Sequence, residues 1–463
     1  MVVFILERVI IMNKKGFTLV EILAVIVVLS LVITITATKG FGAFDNTKKA
    51  ITEQNKKAIE EGAKVLLTEI ENCDDDLEDY KELSDILGEN YENCSSLKNT
   101  YKTGKYISFS KLKDKYIEGN DLNDEKVYND DNIKIIGSID TGKIYVDVKF
   151  NNSNDESNKE NDTLSNKILN NDKIKKNYGI DVDYGAIATE EEGLYLTIDN
   201  DGFTYYFRGK QLYNYVSFAG QTWRIVRING DGSIRMILNG NIGKKVYNTF
   251  NNALASVSYV YGDKTSNDAS IALTKDNPSN IKQTVDSWYN NKIKSKYDNY
   301  IQETIFCNDI TFKDFASSVS TMYQDYDNYE FYYSFGTEQR LNNKSAITPT
   351  FKCSENSTLK LKVGLINADE VVFAGGSTKN NNTSYYLYSS SDFWTMSPKT
   401  YSKETTYNII QTYVYRVTSG KLWMTYSDRN VTEWVRPVIN LKSNIMVDRG
   451  NGTSSNPYVI KTS

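Results

Sequence analysis

The stretch from Phe17 to Ala37 constrains this chain more than any other: it holds no basic residue and a single acid, Glu21. At about 1.5 Å of rise per residue, roughly twenty apolar residues make a helix long enough to cross a bilayer. Lys14 and Lys15 stand just before it, and basic residues favour the cytoplasmic side. The expected topology is therefore a single pass with the N-terminus inside and everything after Lys39 outside.

An ordinary secretory signal has a shorter apolar core that ends in a small-residue cleavage site, and only Ile35-Thr36-Ala37 approaches that pattern. A plain signal anchor fits the hydropathy equally well but leaves Glu21 unexplained. A carboxylate a few residues into hydrocarbon is expensive and marks a functional position. The run Lys14-Lys15-Gly16-Phe17-Thr18-Leu19-Val20-Glu21 resembles the class III signal of type IV prepilins and pseudopilins.

That resemblance covers about the first sixty residues and implies four things. Prepilin peptidase cuts between Gly16 and Phe17, the new Phe17 amine is methylated, and Glu21 neutralises that amine on a neighbouring pilin subunit during assembly. The helix then continues outward against a small β-sheet. Physical chemistry agrees, because a carboxylate in hydrocarbon is tolerated when it meets an ammonium. A glycine at the cleaved bond lets a protease approach the backbone closely. Translation is expected to start at Met12, with Met1 to Ile11 outside the pattern. Beyond the membrane, Phe44, Ile51, Ala58, Ala63, Leu66 and Ile70 approximate one helical stripe, and Gly40 and Gly42 are candidate kinks.

The remaining 400-odd residues need more than one unit, at about 150 residues per domain. A net charge of −5 from 54 basic and 59 acidic side chains gives no global field to recruit nucleic acid. Histidine is absent, which excludes Ser-His-Asp, Cys-His and His-metal chemistry. Cys73, Cys94, Cys307 and Cys353 contain no C-x-x-C spacing, so a zinc ribbon or thioredoxin-like site is not expected. Two disulfides are the simpler reading, and local pairing would staple two separate segments. Spacing alone leaves connectivity open, and four buried thiols are the alternative.

From about Tyr80 to Phe150, the runs Tyr106 to Phe109, Ile133 to Ile136 and Ile144 to Val148 read as strands, with Asp140-Thr141-Gly142-Lys143 as a hairpin turn. Lys111 to Ile117 reads as a short helix. The acidic run Asp74 to Asp79 is expected to be a solvated turn rather than a cation site. Asn151 to Thr163 has no apolar side chain and is expected to be a linker.

After it come strand-like runs at 205–207, 216–218, 222–228 and 233–238, the last two joined by Asn229-Gly230-Asp231-Gly232. That tetrapeptide lacks the acidic spacing and closing Glu of a calcium loop. A helix with an aromatic face is expected over Asn280 to Ile301. A second helix, with a capping box and a glycine stop, is expected from Asn367 to Gly376. Strands at 392–398, 413–417 and 434–441 complete the pattern, and Gly450 to Tyr458 is a turn.

Phe218 to Gly230, Phe306-Cys307-Asn308-Asp309, Val363 to Glu370 and Val435 to Leu441 resemble an uncharacterised extracellular domain of low-GC Gram-positive bacteria. The order Ala-Asp-Glu, Ala-Gly-Gly, Trp-Thr, Val-Arg-Pro-Val is loosely similar to C-type-lectin-like folds of the formylglycine-generating type. The cysteine pair that holds copper in those enzymes has no counterpart here, which counts against catalysis; no cofactor and no metal are expected. The expected fold class is α+β. Residues 1–16 form a leader, 17–72 a pilin-type helix spanning the membrane at 17–38, and 73–150 a small antiparallel β head. A polar linker follows at 151–165, then a larger, mostly antiparallel extracellular domain with a few helices at 166–463.

Three functions compete. A minor pilin or pseudopilin would carry the large head for adhesion to a surface ligand. A component of a pilus-like secretion or DNA-uptake machine would share the N-terminus, but Lys173 to Lys176 and Lys292 to Lys296 make only short basic clusters. A wall-active enzyme would need paired carboxylates, and Asp369, Glu370 and Glu433 are the candidates. The chain is expected to be a non-enzyme whose partners are prepilin peptidase, other pilin subunits and the membrane.

Overall fold

A computed structural model describes residues 44–117, 122, 128–130, 132–140, 142–150, 163–210, 212–250, 253–315, 329–427 and 430–462. Gly16, Phe17, Glu21, the expected start at Met12, the membrane span 17–38 and the glycines at 40 and 42 lie outside these residues, as does most of the expected linker. No helix among the described residues is long and apolar enough to cross a membrane. The architecture is α+β with mostly antiparallel sheets. The described residues fall into two compact units, one holding 44–99 with those of 107–137 and 142–150, the other those from 163 onward with 100–106 and 138–140.

The first unit is organised by a helix, Phe44–Glu71. Its buried stripe is Ile59, Ala63, Leu66, Leu67 and Ile70, each 0–1% exposed. Ala58, expected in the stripe, is only half-buried, because the face toward the core is centred one residue further on, at Ile59. A three-stranded sheet runs in the order β1 (Lys105–Ile107), β2 (Ile133–Asp140), β3 (Lys143–Phe150). Helix and sheet approach closely at Gly137, where a Cβ would sit 2.8 Å from Leu67 Cδ1 and 2.6 Å from Ile107 Cδ1. The expected strand at 106–109 stops at Ile107, since Ser108 caps a helix, Phe109–Tyr116, by accepting from Lys111 N. Two further helices, Asp79–Leu87 and Cys94–Thr100, were not expected.

The second unit holds a ten-stranded and a seven-stranded sheet. The ten-stranded path begins at Val363–Gly364 and Val438–Leu441. It continues through β9 (Ile234–Leu238), β8 (Gln221–Ile228), β6 (Phe203–Arg208), β5 (Gly193–Ile198) and β4 (Lys176–Asn177). β7 (Tyr215–Phe218) joins β8 to the C-terminal pair Val447–Arg449 and Tyr458–Ile460, whose connection is the expected glycine turn. The β8–β9 hairpin forms as its alternation and turn chemistry predict, with Ile225 opposite Met236 and Ile228 opposite Ile234. Its turn needs glycine at 230, where a Cβ would fall 2.3 Å from Asp199 Oδ1 and 2.4 Å from Gly202 N.

The seven-stranded sheet is centred on Phe393–Glu404, flanked by Tyr329–Phe335 and by the hairpin Ile410–Thr418 and Lys421–Tyr426. The expected helix from 280 runs as Asn280–Tyr289 with Ser279 as its cap, then passes through a π turn at Asn290–Lys294 and two short turns to Tyr300. Ile281, Val285, Tyr289 and Ile293 are its buried face. The expected strand at 434–441 is split into Thr432–Trp434 and Val438–Leu441, because Pro437 has no N–H to give to a ladder.

Candidate functional site

The helix Ala368–Ala374 positions two of the candidate carboxylates. Asn367 Oδ1 accepts from Glu370 N at 2.8 Å and Glu370 Oε2 accepts from Asn367 N at 3.0 Å, the expected capping box, and Gly375 with φ 121° ends the helix. Glu370 is 1% exposed and faces two arginines: Arg235 in direct contact and Arg227 with Nε 3.6 Å from Oε1. Arg235 also donates from Nη2 to Glu370 Oε2 at 3.3 Å, whereas its Nε, though closest, is not aligned for a hydrogen bond. Burial lowers the Arg235 pKa to about 10, opposed by Glu370, so the guanidinium stays charged at neutral pH.

Arg227 is shared, since its Nη1 donates to Asp199 Oδ2 at 2.6 Å. Asp199 in turn accepts from Asp201 N, Gly202 N and Gly230 N, so this carboxylate locks the β8–β9 turn to the β5–β6 turn. Asp369, the neighbour of Glu370, faces a different cation, Arg340, and accepts from Thr350 N at 3.0 Å. Burial raises its carboxyl above the ordinary value, and the charge of Arg340 opposes the rise. Glu433 lies against Arg416. The three candidate carboxylates are thus each tied to an arginine and do not converge on one cleft.

The other motifs fall as follows. In the acidic run, Asp75 Oδ1 accepts from Cys94 N, Asp74 Oδ1 from Asp76 N and Asp79 Oδ2 from Asp74 N, a self-capped turn. Asp231 accepts from Ser233 N and Oγ and closes its hairpin. No group of three or more His, Cys, Asp or Glu side chains able to hold a metal occurs among the described residues. Lys173 and Lys175 are exposed, while Lys176 donates to Ile174 O. Lys292, Lys294 and Lys296 project into solvent from the π turn and the helix after it.

Cys73 is bonded to Cys94 and Cys307 to Cys353, with Cα atoms 5.6 and 5.5 Å apart. The second bridge is buttressed by Asn200, whose amide donates to Cys353 O at 2.9 Å and accepts from Cys353 N at 2.8 Å.

The arginines carry a pattern that the sequence reading missed. The chain has ten arginines in a strongly lysine-rich composition, and Arg208, Arg224, Arg227, Arg235 and Arg436 are all at least nine-tenths buried. A planar, always-charged fork suits buried pairing better than a lysine, so the scarcity of arginine was itself the available signal.

Residues 11–37 match the model of the prokaryotic N-terminal methylation motif. No curated protein and no solved structure matches the chain. The N-terminal segment is therefore similar to a type IV prepilin signal, which implies a membrane-anchored substrate of prepilin peptidase that assembles with pilin-type subunits.

Proposed function

We propose that this chain is a low-copy subunit of a type IV pilin-like assembly, cut after Gly16, methylated at Phe17 and docked through Glu21. In this reading its second unit contacts an external surface. The observation that carries the reading is the join of a methylation motif at residues 11–37 to a β-rich unit of about 300 residues. A head that large is awkward to repeat in every subunit of a filament, which favours a tip or minor position. The bridges Cys73–Cys94 and Cys307–Cys353 suit an oxidising location outside the membrane. Exposed Trp423, Met424 and Tyr426 on the edge strand Lys421–Tyr426 offer apolar contact area.

The test is N-terminal mass analysis of the chain recovered from cells that contain a prepilin peptidase. The reading expects a mature chain beginning at methylated Phe17, present at low copy among filament subunits. A chain that keeps Gly16, or begins elsewhere, overturns it.

A further inference from the structure

Of the five buried arginines, three face a carboxylate: Arg208 meets Glu192 at 2.8 Å, Arg227 meets Asp199 at 2.6 Å, and Arg235 meets Glu370. Arg224 and Arg436 do not. Arg224 donates from Nε to Asn214 Oδ1 at 2.7 Å, while its guanidinium lies 3.8 Å from the Tyr215 ring centroid and 5.2 Å from that of Tyr386. Its Nη2 has no hydrogen-bond partner, and neither has the buried Tyr386 hydroxyl beside it. Arg436 donates from Nε to Leu238 O at 3.1 Å and from Nη1 to Leu387 O at 3.3 Å, over the Phe393 ring. Nη2 of Arg436 is left without a protein partner among the described residues.

Burial lowers both guanidinium groups to about 10, and for Arg436 the charge of Arg224 adds to the lowering, so both stay charged at neutral pH. A buried charge without a counter-charge is costly, and here there are two. No carboxylate forms an ion pair with either among the described residues, and Asp392 and Glu433 are engaged by Arg416.

Arg436 and Tyr386 border a cavity of about 170 Å³. That is below the roughly 300–1,000 Å³ of sites for drug-sized ligands and suits one ring-sized unit. Its remaining walls are neutral and polar at Asn239, Asn241, Ser389 and Ser391, and aromatic at Tyr388 and Trp434. A free guanidinium nitrogen gives a carboxylate a charge-assisted hydrogen bond, amides and hydroxyls match sugar hydroxyls, and ring faces cover the apolar face of a sugar.

We infer that this cavity binds a carboxylate-bearing sugar unit, with Arg436 taking the carboxylate and Asn239, Asn241, Ser389 and Ser391 the ring hydroxyls. The inference rests on the reading of the second unit as a surface-contact domain and supplies the class of its ligand. An acidic polysaccharide is its natural source.

The experiment titrates the full chain, in detergent micelles, with sodium glucuronate, glucose, acetate and inorganic phosphate, read by saturation-transfer NMR. Glucuronate is expected to bind in the millimolar range, with glucose and acetate each weaker by about tenfold or more, the loss of one charge-assisted contact or of the hydroxyl contacts. Arg436→Lys should weaken glucuronate by about tenfold. Because Arg436 also ties the end of β9 to Leu387, Asn241→Ala at the exposed rim gives an independent arm: it should weaken glucuronate and leave acetate unchanged. Acetate equal to glucuronate, phosphate tighter than both, or no binding well above millimolar each overturns the assignment. A chain that is cleaved and methylated at Phe17 but binds none of these probes sinks the ligand class alone, whereas an unprocessed chain sinks the pilin-like reading.

Discussion

Arg340 grips Asp369 with two nitrogens of one guanidinium, Nε to Oδ1 at 3.1 Å and Nη2 to Oδ2 at 2.9 Å, while the same Nη2 reaches Asp309 Oδ2 at 2.6 Å. One cation thus serves two buried carboxylates from chain segments sixty residues apart in sequence, Asp309 and Asp369. Removing it strands both. Arg340→Met is expected to cost about 3–5 kcal/mol, the range for breaking a buried pair by deleting one partner. Urea unfolding of the second unit checks this, and a loss under about 1 kcal/mol would mean that water already screens the cluster.

The bridge Cys307–Cys353 spans 46 residues. Chain-entropy reasoning gives about 4 kcal/mol for a loop of that size, with measured losses of about 2–5 kcal/mol when a native bridge is removed. Cys353→Ser is expected to lower the thermal midpoint without dismantling the first unit, whose own bridge closes a separate segment, Cys73 to Cys94. Calorimetry resolves the two cases: one transition shifting while another stays supports it, and no shift at all contradicts it.

The parts that were legible in the sequence are those written in local pattern. Asn229 to Gly232 between two alternating runs specified the β8–β9 hairpin, because turn residues and period-two alternation act over a few residues. Asn367 and Glu370 specified a capping box for the same reason. The strand Tyr329–Phe335 and the helix Gly336–Leu341 were missed: in the first, Glu330 and Ser334 break a mostly aromatic run without regular alternation, and the second is too short for a periodic signal. The arginine clusters had no local signature at all. Arg235 and Glu370 are separated by 135 residues, so their pairing exists only once the sheets are formed, and the unpaired state of Arg224 and Arg436 is visible only against that background.

Alkaline pH should separate the buried tyrosines from the rest. Burial raises Tyr401 to about 12 and pushes Tyr206, Tyr259 and Tyr415 well above the ordinary value. The unfolded chain releases phenolic protons near 10, whereas the folded chain keeps these, so the folded state binds more protons in that window. Stability from these groups is complete below about pH 10 and falls as pH rises toward the folded values. Phenolate absorbance is expected to rise in two phases, the second coinciding with loss of the near-ultraviolet circular dichroism. A single phase near 10 with the dichroism intact would contradict the burial of these rings.

The N-terminal signal makes the two functions of its residues separable. Gly16 belongs to the cut and Glu21 to docking, in the proposed reading, so changes at the two positions should fail at different steps. Replacing Gly16 by a bulky residue should leave the leader attached, because the peptidase can no longer approach the backbone at that bond. Glu21→Val removes the one acid from the run Phe17 to Ala37, which makes insertion easier by roughly 2.5–3.5 kcal/mol for a carboxylate at mid-membrane and less near its edge. Cleavage and methylation at Phe17 should therefore persist while incorporation into assembled subunits falls, since the α-amine of a neighbour loses its counter-charge. Mass analysis of the membrane fraction and of sheared surface material, side by side, distinguishes the steps. Equal incorporation of Glu21→Val and the parent chain would remove Glu21 from the docking role.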